Sequence, residues 1–209
     1  MSLILQNAFY IISTLALFGL VHTFLASNKV KRFIYNKNRY ILPYYRLFYN
    51  IISVIFLIVI YMDLPSSNIV IYDLPNPYDF IVLGLQFLSL AGFIWTLKYF
   101  SVKELMGLSQ IKRSLESNYD FEQLDERSSF ITRGIYRFTR HPLYLFSILF
   151  FLFRPYMDLN YLIIFSCFVI YFYIGSVYEE KKLVEKFGDA YRNYQKSVPR
   201  IFPLRTFQR

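Results

Sequence analysis

Two groups of polar and aromatic residues near the C-terminus are the part of the chain best suited to chemistry. The first is the run at residues 140–144, Arg-His-Pro-Leu-Tyr, and the second begins with the carboxylate pair Glu179-Glu180. The stretch between them is mostly apolar. Ionisable side chains at the edge of an apolar segment are costly to desolvate, so they indicate function by default.

Composition indicates that these residues belong to an integral membrane protein. The chain has 209 residues, of which 56% are hydrophobic and 18% charged, and its mean hydropathy is +0.34. Soluble domains carry about 25% charged residues. Cys167 is the only cysteine, which excludes an internal disulfide or a cysteine metal cluster. The net charge of +9 is concentrated between apolar segments, which favours loops beside anionic lipid over a nucleic-acid surface.

Five apolar segments predict the elements that must position the polar residues. They are Leu3–Ala26, Leu47–Met62, Phe80–Phe100, His141–Phe153 and Tyr161–Tyr178. The fourth is short, so it either crosses a thinned bilayer or forms part of an embedded hairpin. The predicted fold is therefore an all-α integral membrane helical bundle. It has about five transmembrane helices, a C-terminal helical hairpin and cytoplasmic amphipathic tail helices.

The pattern predicts one membrane domain covering residues 1–209. Residues 1–100 hold three transmembrane helices, 101–140 form a cytoplasmic connector, and 141–209 form a ligand-binding hairpin and tail. Helical spacing predicts a connector helix over 101–117 and a tail helix from Glu179 to Ser197 that Gly188 interrupts, with Asp189 as a cap.

The distribution of Lys and Arg predicts the orientation. Residues 27–46 contain six basic side chains and no acid, whereas 63–79 contain three aspartates and no Lys or Arg. Residues 101–140 carry seven basic side chains and 179–209 carry eight. Because positively charged loops stay in the cytoplasm, we expect the N-terminus outside and the C-terminus inside, in the cell inner membrane.

The hairpin prediction places the two polar groups side by side. Pro142 suits the first turn of a helix, so His141 and Tyr144 lie where the fourth segment begins. Glu179 and Glu180 lie where the fifth segment ends, on the same side of the membrane. Carboxylates and aromatic faces there match a small cationic ligand. Each group also has a structural explanation, an interfacial aromatic belt for the first and a polar helix stop for the second.

Other polar residues have weaker assignments. Tyr191, Tyr194 and Arg200 close the same pocket from the tail, or else belong to an amphipathic helix on the lipid surface. His22 is expected to be a packed or interfacial histidine. The two histidines lie far apart in sequence, so no metal site is predicted. Glycine-rich nucleotide-binding motifs of the Rossmann and P-loop types do not occur in the sequence.

Taken together, these motifs resemble the membrane methyltransferases that include isoprenylcysteine carboxyl methyltransferase and the bacterial phospholipid N-methyltransferases. The resemblance covers residues 130–203 and is specific as a combination. Its motifs here are Arg140-His141-Pro142-Leu143-Tyr144, Glu179-Glu180, Leu183, Phe187-Gly188, Tyr191, Tyr194 and Val198-Pro199-Arg200.

The N-terminal half resembles a narrower branch, the methanethiol S-methyltransferase-like proteins. The matching pieces are His22, Leu25-Ala26-Ser27, Tyr44-Tyr45-Arg46-Leu47-Phe48-Tyr49-Asn50 and Gly107-Leu108-Ser109-Gln110-Ile111. One position departs from the wider family, which often has a small residue where this chain has Phe146.

The resemblance implies S-adenosylmethionine as the methyl donor, bound at the cytoplasmic mouth of the hairpin. It implies the catalytic residues Arg140, His141 and Tyr144. It implies the cofactor-binding residues His141, Pro142, Leu143, Tyr144, Glu179, Glu180, Tyr191, Tyr194 and Arg200.

The predicted activity is methyl transfer to a small thiol such as methanethiol, or to a lipidic acceptor. In that reaction His141 is a candidate for accepting the thiol proton, and Arg140 or Arg200 for favouring the thiolate. A prenylcysteine carboxylate or a phospholipid amine stays open as the acceptor. A nicotinamide-dependent membrane reductase and a non-catalytic membrane module stay open as other classes. The sequence leaves the oligomeric state open.

Overall fold

The computed structural model describes residues 2–65, 67–121 and 130–203, and most of these residues are helical. Helices and strands are numbered in chain order. They are α1 (Leu3–Ala26), α2 (Asn28–Asn38), α3 (Leu42–Asp63), β1 (Val70–Asp73), α4 (Tyr78–Leu97), α5 (Val102–Met106), α6 (Leu108–Leu115), α7 (Pro142–Leu152), β2 (Tyr156–Asp158), α8 (Leu159–Phe187) and α9 (Asp189–Ser197). Short 3-10 turns cover Arg39–Ile41 and Gly134–Arg137. The all-α fold class is confirmed.

Among the described residues, four helical stretches are long and apolar enough to cross a membrane. Three of them are the helices α1, α4 and α8. The other is the Asn28–Asp63 stretch, which contains α3. Little of their apolar surface is covered by the rest of the chain, as expected where side chains face lipid. The fourth predicted segment is the short one, because the eleven residues of α7 extend only about 16 Å.

The described residues fall into two compact units, here called unit 1 and unit 2. Unit 1 comprises 2–65 with 100–121, and unit 2 comprises 67–99 with 130–203. The single domain over 1–209 stays a prediction. Within the connector, residues 122–129 lie outside the described residues.

In unit 1, α1 packs on α3, and the connector helices α5 and α6 also contact α3. The Asn50 amide donates to the carbonyl oxygen of Leu105, at the end of α5, over 3.2 Å. Gly107 follows with φ +96°, and a Cβ there would lie 2.7 Å from the backbone nitrogen of Leu47. The prediction of one helix over 101–117 is therefore wrong, since this left-handed glycine divides it into α5 and α6.

In unit 2, α7 packs on α4 and forms a hairpin with α8. A Cβ on Gly92 of α4 would lie 2.3 Å from the ring of Phe146, so the glycine makes room for that side chain. At the hairpin turn, β2 pairs antiparallel with β1, a contact that the sequence did not predict.

The last long helix extends further than predicted. Asp158 caps the start of α8 by accepting from the Tyr161 backbone N–H over 2.9 Å. The helix passes through Glu179 and ends at Phe187, where Gly188 adopts φ +57°. The break at Gly188 is confirmed, but Asp189 is the first residue of α9 and its side chain makes no capping bond. Because α8 is continuous, the carboxylate pair lies on a rigid helix.

Candidate functional site

Backbone hydrogen bonds join the segment before α7 to the segment after α9. The Arg140 N–H donates to the carbonyl oxygen of Pro199, and the His141 N–H to that of Arg200, both over 3.0 Å. Thr139 is fully buried, and its hydroxyl donates to the Ile201 carbonyl oxygen over 2.7 Å. The two ends of the family motif are therefore fixed against each other, although about 60 residues separate them.

Glu180 lies at the centre of this junction and is only 2% exposed. Arg140 makes a bidentate contact with it: Nε donates to Oε1 over 2.7 Å, and Nη2 donates to Oε2 over 3.0 Å. Arg200 Nη2 lies 3.1 Å from Oε2, and the Gln195 amide donates to the same oxygen over 2.9 Å. His141 Nε2 lies 3.1 Å from Oε1. Both carboxylate oxygens are fully used within the protein.

The basic side chains that contact Glu180 are also held in place by other groups. The Arg140 side chain is 8% exposed, and its Nη1 also donates to the carbonyl oxygens of Gln195 and Val198. Arg200 is 28% exposed, and its guanidinium lies 5.3 Å above the Tyr173 ring. This geometry supports a structural role for Arg140. The predicted roles of both arginines in the reaction stay predictions.

Glu179 is placed quite differently, although it is the next residue. Its side chain is 53% exposed. The Tyr144 hydroxyl donates to Glu179 Oε1, and His141 Nδ1 lies 3.4 Å from Oε2. Of the two carboxylates, Glu179 is the one that a ligand can reach.

His141 lies between the two carboxylates and is 8% exposed. One ring nitrogen faces Glu179 and the other faces Glu180, so both act as donors, as in an imidazolium. Burial lowers the pKa of His141, but hydrogen bonds to the two carboxylates raise it, and the net effect is a raised pKa. Because both ring nitrogens face carboxylate oxygens, this geometry does not support His141 as the proton acceptor.

Aromatic rings continue from this site into the hairpin. The rings of His141 and Tyr144 stack with centroids 5.4 Å apart and planes 6° apart. Tyr144 stacks in turn on Phe172 of α8, at 4.9 Å and 13°. An accessible carboxylate beside stacked aromatic rings is an arrangement that binds ammonium and sulfonium cations.

The two tail tyrosines are packed inside unit 2. Tyr191 and Tyr194 are 2% and 8% exposed, and both rings contact Phe130. The Tyr194 hydroxyl donates to the Tyr136 carbonyl oxygen over 2.6 Å, and burial raises the pKa of Tyr194. These contacts support a packing role, and cofactor binding by the two tyrosines stays a prediction.

The remaining motif residues begin α7. Pro142 is fully buried at the first helical position, as predicted from its missing N–H, and Leu143 is partly buried. Phe146 packs on Gly92 of α4, and this contact accounts for a large residue at position 146. The cofactor-binding roles of Pro142 and Leu143 stay predictions.

Sequence reasoning missed three residues of the site. Thr139 and Gln195 join the junction, and Phe172 extends the ring stack. Phe172 precedes Glu179 by seven residues, which is two helical turns, so helical spacing places it on the face of Glu179. Thr139 directly precedes Arg140, and Gln195 directly follows Tyr194. This adjacency to motif residues was the only signal in the sequence for either of them.

A protein-family model matches residues 36–198, a stretch that contains the site up to Val198. Its description is "Protein of unknown function (DUF1295)". The chain belongs to this family. No solved structure matches the chain.

Among named relatives, this DUF1295 member is similar to methanethiol S-methyltransferases. It is 29% identical to methanethiol S-methyltransferase 1 of Bradyrhizobium diazoefficiens over 91% of this chain and 65% of that protein. It is 38% identical to the Pseudomonas deceptionensis enzyme over 48% and 36%, and 28% identical to the Crocosphaera subtropica enzyme over 92% and 73%. The first two relatives are thus matched over less than two thirds of their own length.

Proposed function

We propose that the protein is an S-adenosylmethionine-dependent membrane methyltransferase whose acceptor is a small thiol such as methanethiol. The observation that carries the proposal is Glu179, an accessible carboxylate held beside the stacked rings of His141 and Tyr144. The similarity to methanethiol S-methyltransferases over most of the chain supports the same activity.

The residues of this site fit the methyl donor. S-adenosylmethionine supplies a methyl group on a sulfonium, and it carries an ammonium on its amino acid end. Glu179 offers its carboxylate to the ammonium. The hydrogen bonds from Tyr144 and His141 hold that carboxylate in one orientation. Such positioning lowers the barrier to direct displacement.

Glu180 and its cations position this site without contacting the ligand. They fix His141 and the tail against the start of α7, so the rings keep their stacking. We assign the predicted role of cofactor carboxylate to Glu179 and not to Glu180.

The proposed location is the cell inner membrane, with the N-terminus outside and the C-terminus in the cytoplasm. The six basic residues in 27–46 and the three aspartates in 63–79 support this orientation. Reporter fusions at residue 70 and residue 120 test it. We expect residue 70 outside and residue 120 inside, and finding both on one side contradicts the proposal.

The central test compares Glu179→Gln with Glu185→Gln, a change to an exposed carboxylate on the same helix. Loss of one charge-assisted hydrogen bond lowers affinity roughly ten- to a hundredfold. We expect Glu179→Gln to weaken binding of labelled S-adenosylmethionine by that factor. Glu185→Gln should bind as the unchanged protein does.

Turnover then identifies the acceptor. Purified protein with S-adenosylmethionine should convert methanethiol to its S-methyl product. Turnover of a phospholipid amine or a prenylcysteine carboxylate in place of thiols overturns the acceptor assignment. Absence of S-adenosylmethionine binding in the unchanged protein overturns the methyltransferase proposal itself.

A further inference from the structure

A second polar group lies in unit 1, between α1 and α3. His22 of α1 and Ser53 of α3 face each other, with Nδ1 of the ring 2.8 Å from the serine Oγ. Both helices belong to the stretches long and apolar enough to cross a membrane. Ionisable residues in such helices are rare because a charge there is costly, and they mark functional sites by default.

The hydrogen bonds of Ser53 indicate which ring nitrogen of His22 carries the proton. The Ser53 hydroxyl has one hydrogen, and it donates this hydrogen to the Tyr49 carbonyl oxygen over 2.7 Å. With its hydrogen on that carbonyl, Ser53 Oγ accepts from His22, which assigns the donor role to Nδ1. In the neutral ring, Nε2 then carries a lone pair. Within the described residues, Nε2 makes no hydrogen bond.

The surroundings of the ring are aromatic. Phe18 stacks on His22 with centroids 5.7 Å apart and planes 21° apart, and the Tyr49 ring lies at the same distance, tilted by 59°. Sulfur makes favourable contacts with aromatic rings, and an S–H group is a weak hydrogen-bond donor. A small neutral thiol therefore matches both the lone pair and the rings.

We propose that His22 Nε2 is the hydrogen-bond acceptor that binds the S–H group of the small thiol. This rests on the proposed function for the identity of the thiol. Ser53 is the positioning residue, because it holds the proton on Nδ1 and keeps Nε2 as the acceptor. His22 thus has a binding role in addition to its packing between the two helices.

Nuclear magnetic resonance of isotopically labelled histidine tests the tautomer and the binding together. The chain has two histidines, and His141, with donors on both nitrogens, serves as an internal reference. We expect the His22 spectrum to show a protonated Nδ1 and a bare Nε2. Methanethiol should shift the Nε2 signal saturably, whereas dimethyl sulfide, which lacks an S–H group, should not. A protonated Nε2, or equal responses to both compounds, overturns the proposal.

Substitutions give a second, independent measurement. His22→Phe keeps a ring between Phe18 and Tyr49 but removes the acceptor, so we expect the affinity for methanethiol to fall about three- to tenfold. The affinity for S-adenosylmethionine should stay unchanged. Tyr45→Phe is the matched control, because it removes a different bond between the same helices, from the Tyr45 hydroxyl to the Leu25 carbonyl oxygen. An unchanged affinity for methanethiol in His22→Phe, or an equal loss in Tyr45→Phe, overturns the proposal.

Ser53→Ala covers the case in which His22→Phe does not fold. Without the serine, both tautomers should be populated, and the shift caused by methanethiol should shrink. An unaltered tautomer and shift in Ser53→Ala contradict the positioning role. If the protein methylates no thiol at all, the proposed function fails, while the spectra still decide whether His22 binds an S–H group.

Discussion

Glu104 in unit 1 and Glu180 in unit 2 are both buried carboxylates, and each makes a bidentate contact with an arginine. They differ in how far along the chain their partners lie. Arg113 binds Glu104 over 2.8 and 2.9 Å and is only nine residues away. Glu180 binds Arg140, which is 40 residues away, and adds His141 and Arg200. The first pair therefore stabilises two neighbouring short helices, whereas the second fixes the tail to the start of the hairpin.

Solvent reaches the two regions to different extents. The Glu104 and Arg113 side chains are 9% and 20% exposed, whereas Glu180 is 2% and Arg140 8% exposed. A buried charge that loses its partner costs far more free energy than one that water can reach. The same pair of residue types therefore contributes differently to stability according to its burial and to the segments that it joins.

The largest expected effect comes from Glu180→Gln. It leaves Arg140, His141 and Arg200 around a neutral amide, and we expect a loss of about 3–5 kcal/mol in the free energy of unfolding. Thermal unfolding in detergent measures it, and limited proteolysis should show earlier cleavage of the tail. A loss below about 1 kcal/mol would mean that Glu180 does not hold the tail.

A smaller effect is expected from Glu104→Gln. Water can solvate Arg113 in part, so we expect a loss of about 1–2 kcal/mol in the free energy of unfolding. Binding of S-adenosylmethionine should stay unchanged. If this variant proves as unstable as Glu180→Gln, the distinction between the local and the long-range pair is wrong.

Of these two carboxylates, only Glu180 contacts a histidine, so only its surroundings should respond to pH near neutrality. The pKa of His141 is raised on folding above its ordinary value of 6.5. Its contribution to stability is therefore present in full below that value and is lost as pH rises through the raised folded-state pKa. We expect the Tm to fall on this alkaline side, and Glu104→Gln to keep that slope. His141→Gln should remove this dependence of Tm on pH. If the dependence remains in that variant, other titrating groups cause it.

The smallest effect should come from an exposed ion pair in unit 1. Lys112 and Glu116 lie 3.7 Å apart on α6 and are 75% and 52% exposed. Such pairs contribute little because water and salt screen them. We expect Glu116→Gln to leave the Tm unchanged within error. A measurable fall in Tm would show that the contributions of these three pairs to stability do not follow their exposure.

The sequence by itself determined the membrane class and most helix positions. Predicted and observed bounds coincide for Leu3–Ala26, and the short helix α7 and the break at Gly188 were also predicted. These features follow from local rules, since apolar length decides a transmembrane helix and a left-handed glycine ends one. The family motif was readable for the same reason, because residue types at fixed spacing need no tertiary contact.

Tertiary structure alone decided which motif residues a ligand can reach. Glu179 and Glu180 are adjacent and chemically alike, yet they point about 100° apart around the helix axis, and packing buried one and left the other open. Tyr191 and Tyr194 recur at helical spacing, which is the same for a core and for a ligand pocket, and contacts with Phe130 made them core. Periodicity records which face a side chain occupies, whereas its accessibility depends on what the rest of the fold packs against that face.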